Sequence, residues 1–203
     1  MINETKGVGP HSLPWPIGDH YDSELLKEGD TRNVADHYRY WKESAIADDI
    51  ARNGVSLEIA IENVERDFNM GTIVRSANAF GVSTVHIIGR KSWNKRGAMA
   101  TDHYISVQYH SVDSFLEMIE YRQKALIAID ITKDSKPLHS TTLPSNAVLL
   151  FGSEAEGVSE RLRHASQGVF HIEQRGSTRS INVGVAAGIA MYRWLEDTTL
   201  TDL

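Results

Sequence analysis

Short apolar runs alternate with helix-like segments through most of this chain, and the alternation constrains the fold strongly. The strand-like runs fall at residues 57–61, 85–88, 126–131, 147–151 and 169–172, with a shorter candidate at 104–107. Helices are expected at 69–80, 112–121 and 181–195, with a short one after Ser159. Strands joined by helices pair in parallel, so we predict an α/β fold with a mostly parallel sheet and helices on both faces.

The first 55 residues do not share this pattern. Residues 1–31 are rich in Gly, Pro and acidic side chains without a clear period, which is typical of an arm rather than a core element. Apolar side chains recur at helical spacing over 33–52, and Asn53-Gly54 is a stop signal, so an amphipathic helix is expected there. We therefore divide the chain into an arm and helix (1–55), a main domain (56–197) and a tail (198–203).

Composition excludes several classes of protein. The chain has no cysteine, which rules out disulfides, thiolate metal sites and cysteine nucleophiles. The spacing of His, Asp and Glu suggests no metal site, and no run approaches the roughly 20 apolar residues of a membrane span. We expect a cytoplasmic protein that needs neither a membrane nor a metal.

The charge is unevenly distributed. The formal net charge is −6, and residues 1–55 hold 10 acidic against 6 basic side chains. Two windows, 88–103 and 161–179, each carry four Lys or Arg against one acid. They are either ordinary solvated loops or a surface for a phosphate-rich partner.

Three polar segments lie where strand-like runs give way to loops or helices: 69–75, 152–157 and 180–183. The carboxyl ends of parallel strands meet at one edge of a sheet, where α/β proteins bind ligands. We therefore predict that the three segments form one composite site.

The first segment offers a helix cap, a glycine and a cation. Asn69 is the expected N-cap, Gly71 permits close backbone approach, and Arg75 is expected near the first turn. Arg75 either pairs with Asp67 or a nearby carboxylate, or is a cation kept for a phosphate or a developing oxyanion.

The other two segments resemble ligand-binding turns. Gly152 and Gly157 bracket two acids, but Val158-Ser159 follows where a nucleotide P-loop needs Lys and then Ser or Thr. A plain loop with Ser159 as helix N-cap is the alternative. In the third segment capping explains Ser180, whereas Asn182 inside the first turn needs another partner.

In combination, these segments resemble the SpoU (TrmH-type) branch of the SPOUT family of RNA ribose 2'-O-methyltransferases, over roughly residues 56–195. The matches to its three motifs are Asn69, Gly71, Arg75, Ser76 and Ala77, then Gly152, Glu154 and Gly157, then Ser180-Ile181-Asn182-Val183. The third motif departs from the pattern, because Ile172-Glu173-Gln174 stands where the family usually has Ile-Pro-Met.

The resemblance implies a deep C-terminal trefoil knot, S-adenosylmethionine as cofactor and a homodimer. It places the adenosine near Ile129, Gly152, Ile172 and Ile181. Gly184 and Gly188 on the last helix would permit close helix contact in a dimer, and core packing is the alternative reading.

The resemblance also implies roles for the polar side chains. The family assigns activation of the ribose hydroxyl to the counterpart of Arg75, but deprotonating an arginine at pH 7 costs about 7 kcal/mol. We therefore expect Arg75 to act as a preorganised cation, while a phosphate oxygen or water takes the proton. Asn69, Glu154, Ser180 and Asn182 would orient Arg75 and the ribose. The candidate RNA contacts are Arg90, Lys91, Lys95, Arg96, Arg175 and Arg179.

Two alternatives belong to other classes. A non-enzymatic RNA-binding module would be expected to lack at least one motif residue, and all are present here. A Rossmann-type methyltransferase would need a glycine-rich first turn, which residues 57–66 lack. The sequence leaves open whether tRNA or rRNA is the substrate.

Overall fold

The computed structural model describes residues 7–90 and 92–198, and within these ranges seven strands form one parallel sheet. The strands are β1 (Glu58–Glu62), β2 (Thr84–Ile88), β3 (Ser106–His110), β4 (Ala125–Ile129), β5 (Lys136–Pro137), β6 (Ala147–Phe151) and β7 (Gly168–His171). Their order across the sheet is β3-β2-β1-β6-β4-β7-β5. The α-helices are α1 (Ser23–Glu28), α2 (Glu43–Asn53), α3 (Asp67–Ala79), α4 (Val112–Tyr121), α5 (Glu160–Ala165) and α6 (Val183–Thr198).

The helices cover both faces of the sheet, which confirms the predicted α/β architecture. Successive side chains of a strand point to opposite faces, so Ile59 and Ile61 of β1 join one hydrophobic core while Ala60 joins another. Helices α3 and α6 contribute Ile73 and Trp194 to the first core. Helices α4 and α5 contribute Phe115 and Leu162 to the second core.

The sequence pattern predicted the positions of most helices and strands after residue 56. Helix α4 has the predicted bounds, and Ser111 caps it in a reciprocal capping box with Ser114. Strand β6 also has the predicted bounds. Strand β4 ends at Ile129, two residues before the predicted end, so Asp130 lies beyond the sheet edge. The two-residue strand β5 was not predicted.

The predicted helix over 33–52 is wrong in its first half. A single 3-10 turn occupies Asp36–Tyr38, and α2 begins only at Glu43. Tyr40 between them has φ of 64°, a left-handed conformation that interrupts a helix, and its amide donates to Asp30 Oδ2 at 3.0 Å. The stop signal is confirmed, because α2 ends at Asn53 and Gly54 follows it.

The arm contributes buried side chains, contrary to the expectation that it holds no core element. Leu26 on α1 is buried, and Asp30 is fully buried. Burial raises the pKa of Asp30, but hydrogen bonds from Arg32 and the Tyr40 amide outweigh this and lower it to about 2. This ionised carboxylate fixes the arm to the segment before α2. Residues 1–6 of the arm and residues 199–203 of the tail lie outside the described ranges.

Gly71 of the first segment and Gly184 of α6 allow α3 to pack closely on its neighbours. A Cβ at Gly71 would overlap the backbone of Gly97, in the 3-10 turn Lys95–Ala98. A Cβ at Gly184 would lie 2.9 Å from Thr72 Cγ2. Gly184 therefore serves contact between α3 and α6 of the same chain, which supports the core-packing alternative at that position.

A charged cluster is buried under α4, away from the predicted site. Glu58 Oε2 accepts from His86 Nε2 at 2.7 Å, and Glu58 Oε1 lies 2.8 Å from Lys124 Nζ. His86 Nδ1 is 3.0 Å from His110 Nε2, and Arg122 lies at the margin, 3.9 Å from Glu58. Burial raises the pKa of Glu58, but His86 and Lys124 more than offset this and lower it to about 2.

We expect Glu58→Gln to lower the free energy of unfolding by about 3 kcal/mol at pH 7, at about 1.4 kcal/mol per pKa unit. The lowered pKa means that this stabilisation is complete above the ordinary glutamate pKa and is lost as the pH falls toward 2. Burial also lowers the pKa of His110. The folded protein therefore loses further stability as the pH falls below the ordinary histidine pKa. Urea denaturation between pH 7 and pH 2 measures the difference.

The matched control is Glu117→Gln on the exposed side of α4, which should change stability by less than about 0.5 kcal/mol. A Glu58→Gln protein that is as stable as the wild type at pH 7 would contradict this account of the cluster.

Candidate active site

A cavity of about 640 Å³ lies at the carboxyl edge of the sheet. It is bordered by the ends of β4, β6 and β7, by the start of α3 and by the start of α6. Segments 152–157 and 180–183 line it along most of their length, whereas the first segment contributes Asn69. The three segments therefore meet at one cavity, with all of the first segment except Asn69 outside its lining.

Asn69 lies at the centre of a hydrogen-bond chain that joins the three segments. Its Nδ2 donates to Glu154 Oε1 at 2.6 Å, and its Oδ1 accepts from Asn182 Nδ2 at 2.9 Å. The side chain is buried. The predicted capping role is wrong, because α3 begins at Asp67 and Asn69 lies inside the first turn.

Glu154 forms one end of this chain of hydrogen bonds. Its second carboxylate oxygen accepts from the amide of Glu65 at 2.9 Å. Burial raises the pKa of Glu154, but the bonds from Glu65 and Asn69 outweigh it, so the pKa lies below the ordinary glutamate value. Glu154 is therefore an anion at neutral pH.

Asn182 completes the other end and also caps α6. The helix begins at Val183, and Asn182 Oδ1 accepts from the amides of Gly184 at 2.8 Å and Val185 at 3.3 Å. The expectation that Asn182 lies inside the helix is wrong, but the expected second partner exists in Asn69. Ser180 lines the cavity and is exposed, and it does not cap α6.

The glycines of the second segment close a tight turn. Ser153 and Gly157 exchange backbone hydrogen bonds of 3.1 and 3.0 Å, and Gly157 has φ of 70°. A Cβ at Gly152 would overlap Gly157, and one at Gly157 would lie 2.5 Å from Asp130 Oδ2. Ser159 precedes α5 as predicted but makes no side-chain cap; its amide donates to Glu62 Oε2 at 2.7 Å.

All four side chains or backbones predicted for the cofactor wall border the cavity: Ile129, Gly152, Ile172 and Ile181. Sequence reasoning missed Arg66, Asp130 and Gln174, which also line it. Asp130 directly follows the last residue of β4, a position that could have identified it. Gln174 departs from the usual motif, but its position in the wall depends on packing that the sequence does not show.

Arg75 does not line this cavity. It is the ninth residue of α3, beyond the first turn where we expected it, and its side chain is exposed. Asp67 pairs with Arg90 at 2.9 Å, and within residues 7–90 and 92–198 no carboxylate pairs with Arg75. Arg75 instead borders a second hollow of about 510 Å³, together with Phe68, Arg96 and Met99.

The candidate RNA contacts differ in whether their charge is free. Arg90 pairs with Asp67, and Lys95 lies 3.0 Å from the buried carboxylate of Asp102. Among the residues that the structure describes, three candidates have exposed side chains without an ion pair: Arg96, Arg175 and Arg179. Lys91 lies outside the described residues.

Two further observations concern the described residues as a whole. They contain no group of three or more His, Asp or Glu side chains that could hold a metal ion. No helix between residues 7 and 198, Lys91 apart, is long and apolar enough to span a membrane.

Comparison with known families identifies this arrangement. The model of the SpoU rRNA methylase family matches residues 56–192, which include the three segments and all seven strands. The chain belongs to the SpoU family. The segment before residue 56, which includes α1 and α2, lies outside the match.

Several curated SpoU relatives are RNA methyltransferases by name. The chain is 24% identical over 148 residues to the tRNA (guanosine(18)-2'-O)-methyltransferase of Thermus thermophilus, covering 70% of this chain and 76% of that protein. It is 26% identical over 169 residues to the Xylella fastidiosa 23S rRNA (guanosine-2'-O-)-methyltransferase RlmB, covering 80% and 68%. It is 26% identical over 142 residues to the Escherichia coli protein named "uncharacterized tRNA/rRNA methyltransferase YfiF". This match covers 67% of this chain but only 41% of that protein.

Solved SpoU structures share the fold. The A. aeolicus TrmH/SpoU tRNA modifying enzyme superposes with a TM-score of 0.69 at 21% identity, covering 79% of this chain and 84% of that one. The methyltransferase AviRb of Streptomyces viridochromogenes, solved with AdoMet, has a TM-score of 0.65 at 21% identity, covering 73% and 63%.

Proposed function

We propose that this SpoU protein transfers a methyl group from S-adenosylmethionine to a ribose 2'-hydroxyl of structured RNA, a tRNA or an rRNA. The observation that carries the proposal is the hydrogen-bond chain Glu154–Asn69–Asn182 beside the cavity. Membership of the SpoU family and the names of the curated relatives support the same reaction.

The residues of the cavity fit the cofactor. Ile129, Ile172 and Ile181 offer an aliphatic wall for an adenosine, and the turn at Gly152 brings backbone groups to it. A buried side-chain oxygen without a partner, Gln174 Oε1, adds an acceptor. When bound, S-adenosylmethionine supplies a methyl group on a positively charged sulfur.

Arg75 is the catalytic cation of the proposal. An exposed guanidinium without an ion pair among the described residues is available to grip an RNA phosphate or to stabilise the forming alkoxide. The proton leaves to a phosphate oxygen or to water, because removing a proton from arginine at pH 7 costs about 7 kcal/mol.

The remaining polar residues position the ribose. Asn69, Glu154 and Asn182 are held to one another and so have fixed positions at the cavity, and the hydroxyl of Ser180 borders the same cavity. Alignment of the attacking oxygen at about 3 to 3.5 Å from the methyl group supplies much of the rate of such a transfer.

A homodimer is part of the proposal, because Arg75 does not border the cavity of its own chain. Val185, Ile189 and Tyr192 form an apolar stripe on α6, with exposed fractions of 53%, 43% and 50%. Phe68 and Met99, also exposed, lie beside Arg75. Covering these side chains with a second copy removes apolar surface from water and places Arg75 at a shared interface.

Three finer features complete the proposal. The proposal includes the trefoil knot that the family resemblance implies, and it is supported by the loops 152–157 and 172–182, which follow the strands on either side of β4 and border one cavity. The proposal keeps the division into an N-terminal arm and helix (1–55), a main domain (56–197) and a tail (198–203). The reaction takes place in the cytoplasm, where tRNA and rRNA are found.

We expect the protein, incubated with labelled S-adenosylmethionine and RNA from cells that lack it, to produce alkali-resistant dinucleotides. A 2'-O-methyl group blocks alkaline cleavage of the adjacent phosphodiester, so this product reports ribose methylation. Label confined to bases would contradict the ribose assignment. RNA binding without label transfer would favour a non-enzymatic RNA-binding module.

We expect Arg75→Ala to lower single-turnover methylation at least about 100-fold, as removal of one oxyanion-stabilising donor does elsewhere. Cofactor affinity should not change, because Arg75 lies outside the cavity of its own chain and the proposal assigns it to the RNA. Arg75→Lys should also fail, since an ammonium lacks the planar fork of a guanidinium. Arg52→Ala, another exposed arginine, is the control. Near-normal turnover of both Arg75 variants would assign this residue no catalytic role.

We expect Arg96→Ala and Arg175→Ala each to lower the slope of log affinity for RNA against log salt by about one phosphate contact. The control is Arg161→Ala, because Arg161 already pairs with Asp113. Lys95 is unsuitable, since its removal would leave the buried carboxylate of Asp102 uncompensated. An unchanged slope in Arg96→Ala would identify this loop as a solvated surface that does not bind RNA.

A further inference from the structure

Gln174 is half-buried, and among the described residues of the cavity wall it is the one with a buried side-chain atom that makes no hydrogen bond. Its Oε1 is shielded from solvent and accepts no hydrogen bond, and no partner of its Nε2 occurs in residues 7–90 or 92–198. It follows Ile172 by two positions, on the wall that also contains Ile129 and Ile181. An unpaired buried acceptor lowers the stability of the folded protein by about 1–3 kcal/mol. A ligand that donates a hydrogen bond to it removes this penalty and therefore binds more tightly.

The other polar side chains of the cavity are engaged or charged, apart from the exposed Ser180, which the proposed function assigns to the ribose. Asp130 accepts from the amides of Val158 at 2.9 Å and Ile131 at 2.7 Å. Glu154 and Asn182 are joined through Asn69. Arg66 and Arg179 are cations, which suit phosphate or carboxylate. The carboxamide of Gln174 is thus left for a neutral polar group.

A planar heterocycle with a donor next to an acceptor satisfies a carboxamide at both of its ends. Adenine has this edge, because its 6-amino group donates and the adjacent ring nitrogen accepts, and glutamine or asparagine pairs with it through two hydrogen bonds. No described residue holds the carboxamide of Gln174 by a hydrogen bond, so rotation about the side-chain torsions would turn both of its ends toward a ligand in the cavity.

We infer that Gln174 binds the adenine of the cofactor through its side-chain carboxamide and thereby makes the cavity selective for an adenine over a purine without the amino group. This inference rests on the proposed function. The aliphatic wall around Gln174 favours the cofactor adenine, which lies flat against apolar side chains, over an adenine of the RNA substrate. The usual methionine at this motif position has no group that could make this pair.

The test compares two ligands and two proteins by isothermal titration calorimetry without RNA. The ligands are S-adenosylhomocysteine and its analogue with hydrogen in place of the 6-amino group. Wild-type protein should bind the first at least about 10-fold more tightly, within the range of one bidentate amide–adenine pair. Gln174→Met should bind the two ligands within about 2-fold of each other, chiefly through weaker binding of S-adenosylhomocysteine.

Two controls separate this result from damage to the fold. Gln167→Met, at an exposed position before β7, should discriminate between the ligands as the wild type does. The thermal midpoint of ligand-free Gln174→Met should equal or exceed that of the wild type, because the substitution removes a buried unpaired acceptor.

Three outcomes overturn the inference or its basis, and they can be told apart. Equal binding of both ligands by the wild type, or unchanged discrimination in Gln174→Met, excludes the amide–adenine pair while leaving the methyltransferase proposal intact. Loss of RNA affinity in Gln174→Met with normal S-adenosylhomocysteine binding assigns the residue to an RNA base instead. No binding of S-adenosylhomocysteine by the wild type contradicts the proposed function itself.

Discussion

The carboxamide of Asn69 is the interaction on which the site depends. It donates to Glu154 and accepts from Asn182, residues 85 and 113 positions further along the chain. The nitrogen and the oxygen of the Asn69 carboxamide therefore join α3 to the turn after β6 and to the start of α6. Because Asn182 also caps α6, the position of the longest described helix is coupled to the shape of the cavity.

The acidic composition of the chain has a structural explanation at this edge of the sheet. Glu62, Asp130 and Glu154 each accept from backbone amides of the loops that border the cavity. These carboxylates hold loop backbone in place where a parallel sheet ends and its hydrogen-bond ladder stops. Net charge is thus a poor guide to partners here, because part of the negative charge stabilises the site and part of the positive charge, as at Lys95, neutralises buried acids.

The sequence predicted those features that depend on neighbouring residues or on a motif already known. Strand β6 and helix α4 follow from apolar runs and the Ser111 cap, and the cavity wall at Ile129 and Ile172 follows from the family resemblance. The predictions failed where a distant contact decides the structure. The expected helix is interrupted at Tyr40, whose amide donates to Asp30. Asn69 does not cap α3, and its side chain donates to Glu154. The separation of Arg75 from the cavity depends on where α3 begins, which no local pattern revealed.

The close contact of Gly71 with Gly97 has a consequence for recognition. Backbone packs on backbone there, so the turn that carries Arg96 is held against α3 without intervening side chains that could rearrange. A loop that is mobile in the free protein loses conformational entropy when it binds, and that loss weakens the complex. In this protein the backbone of the turn is packed on α3 in the folded chain, so a polyanion that bound Arg96, as the proposed function requires, would not have to order that backbone.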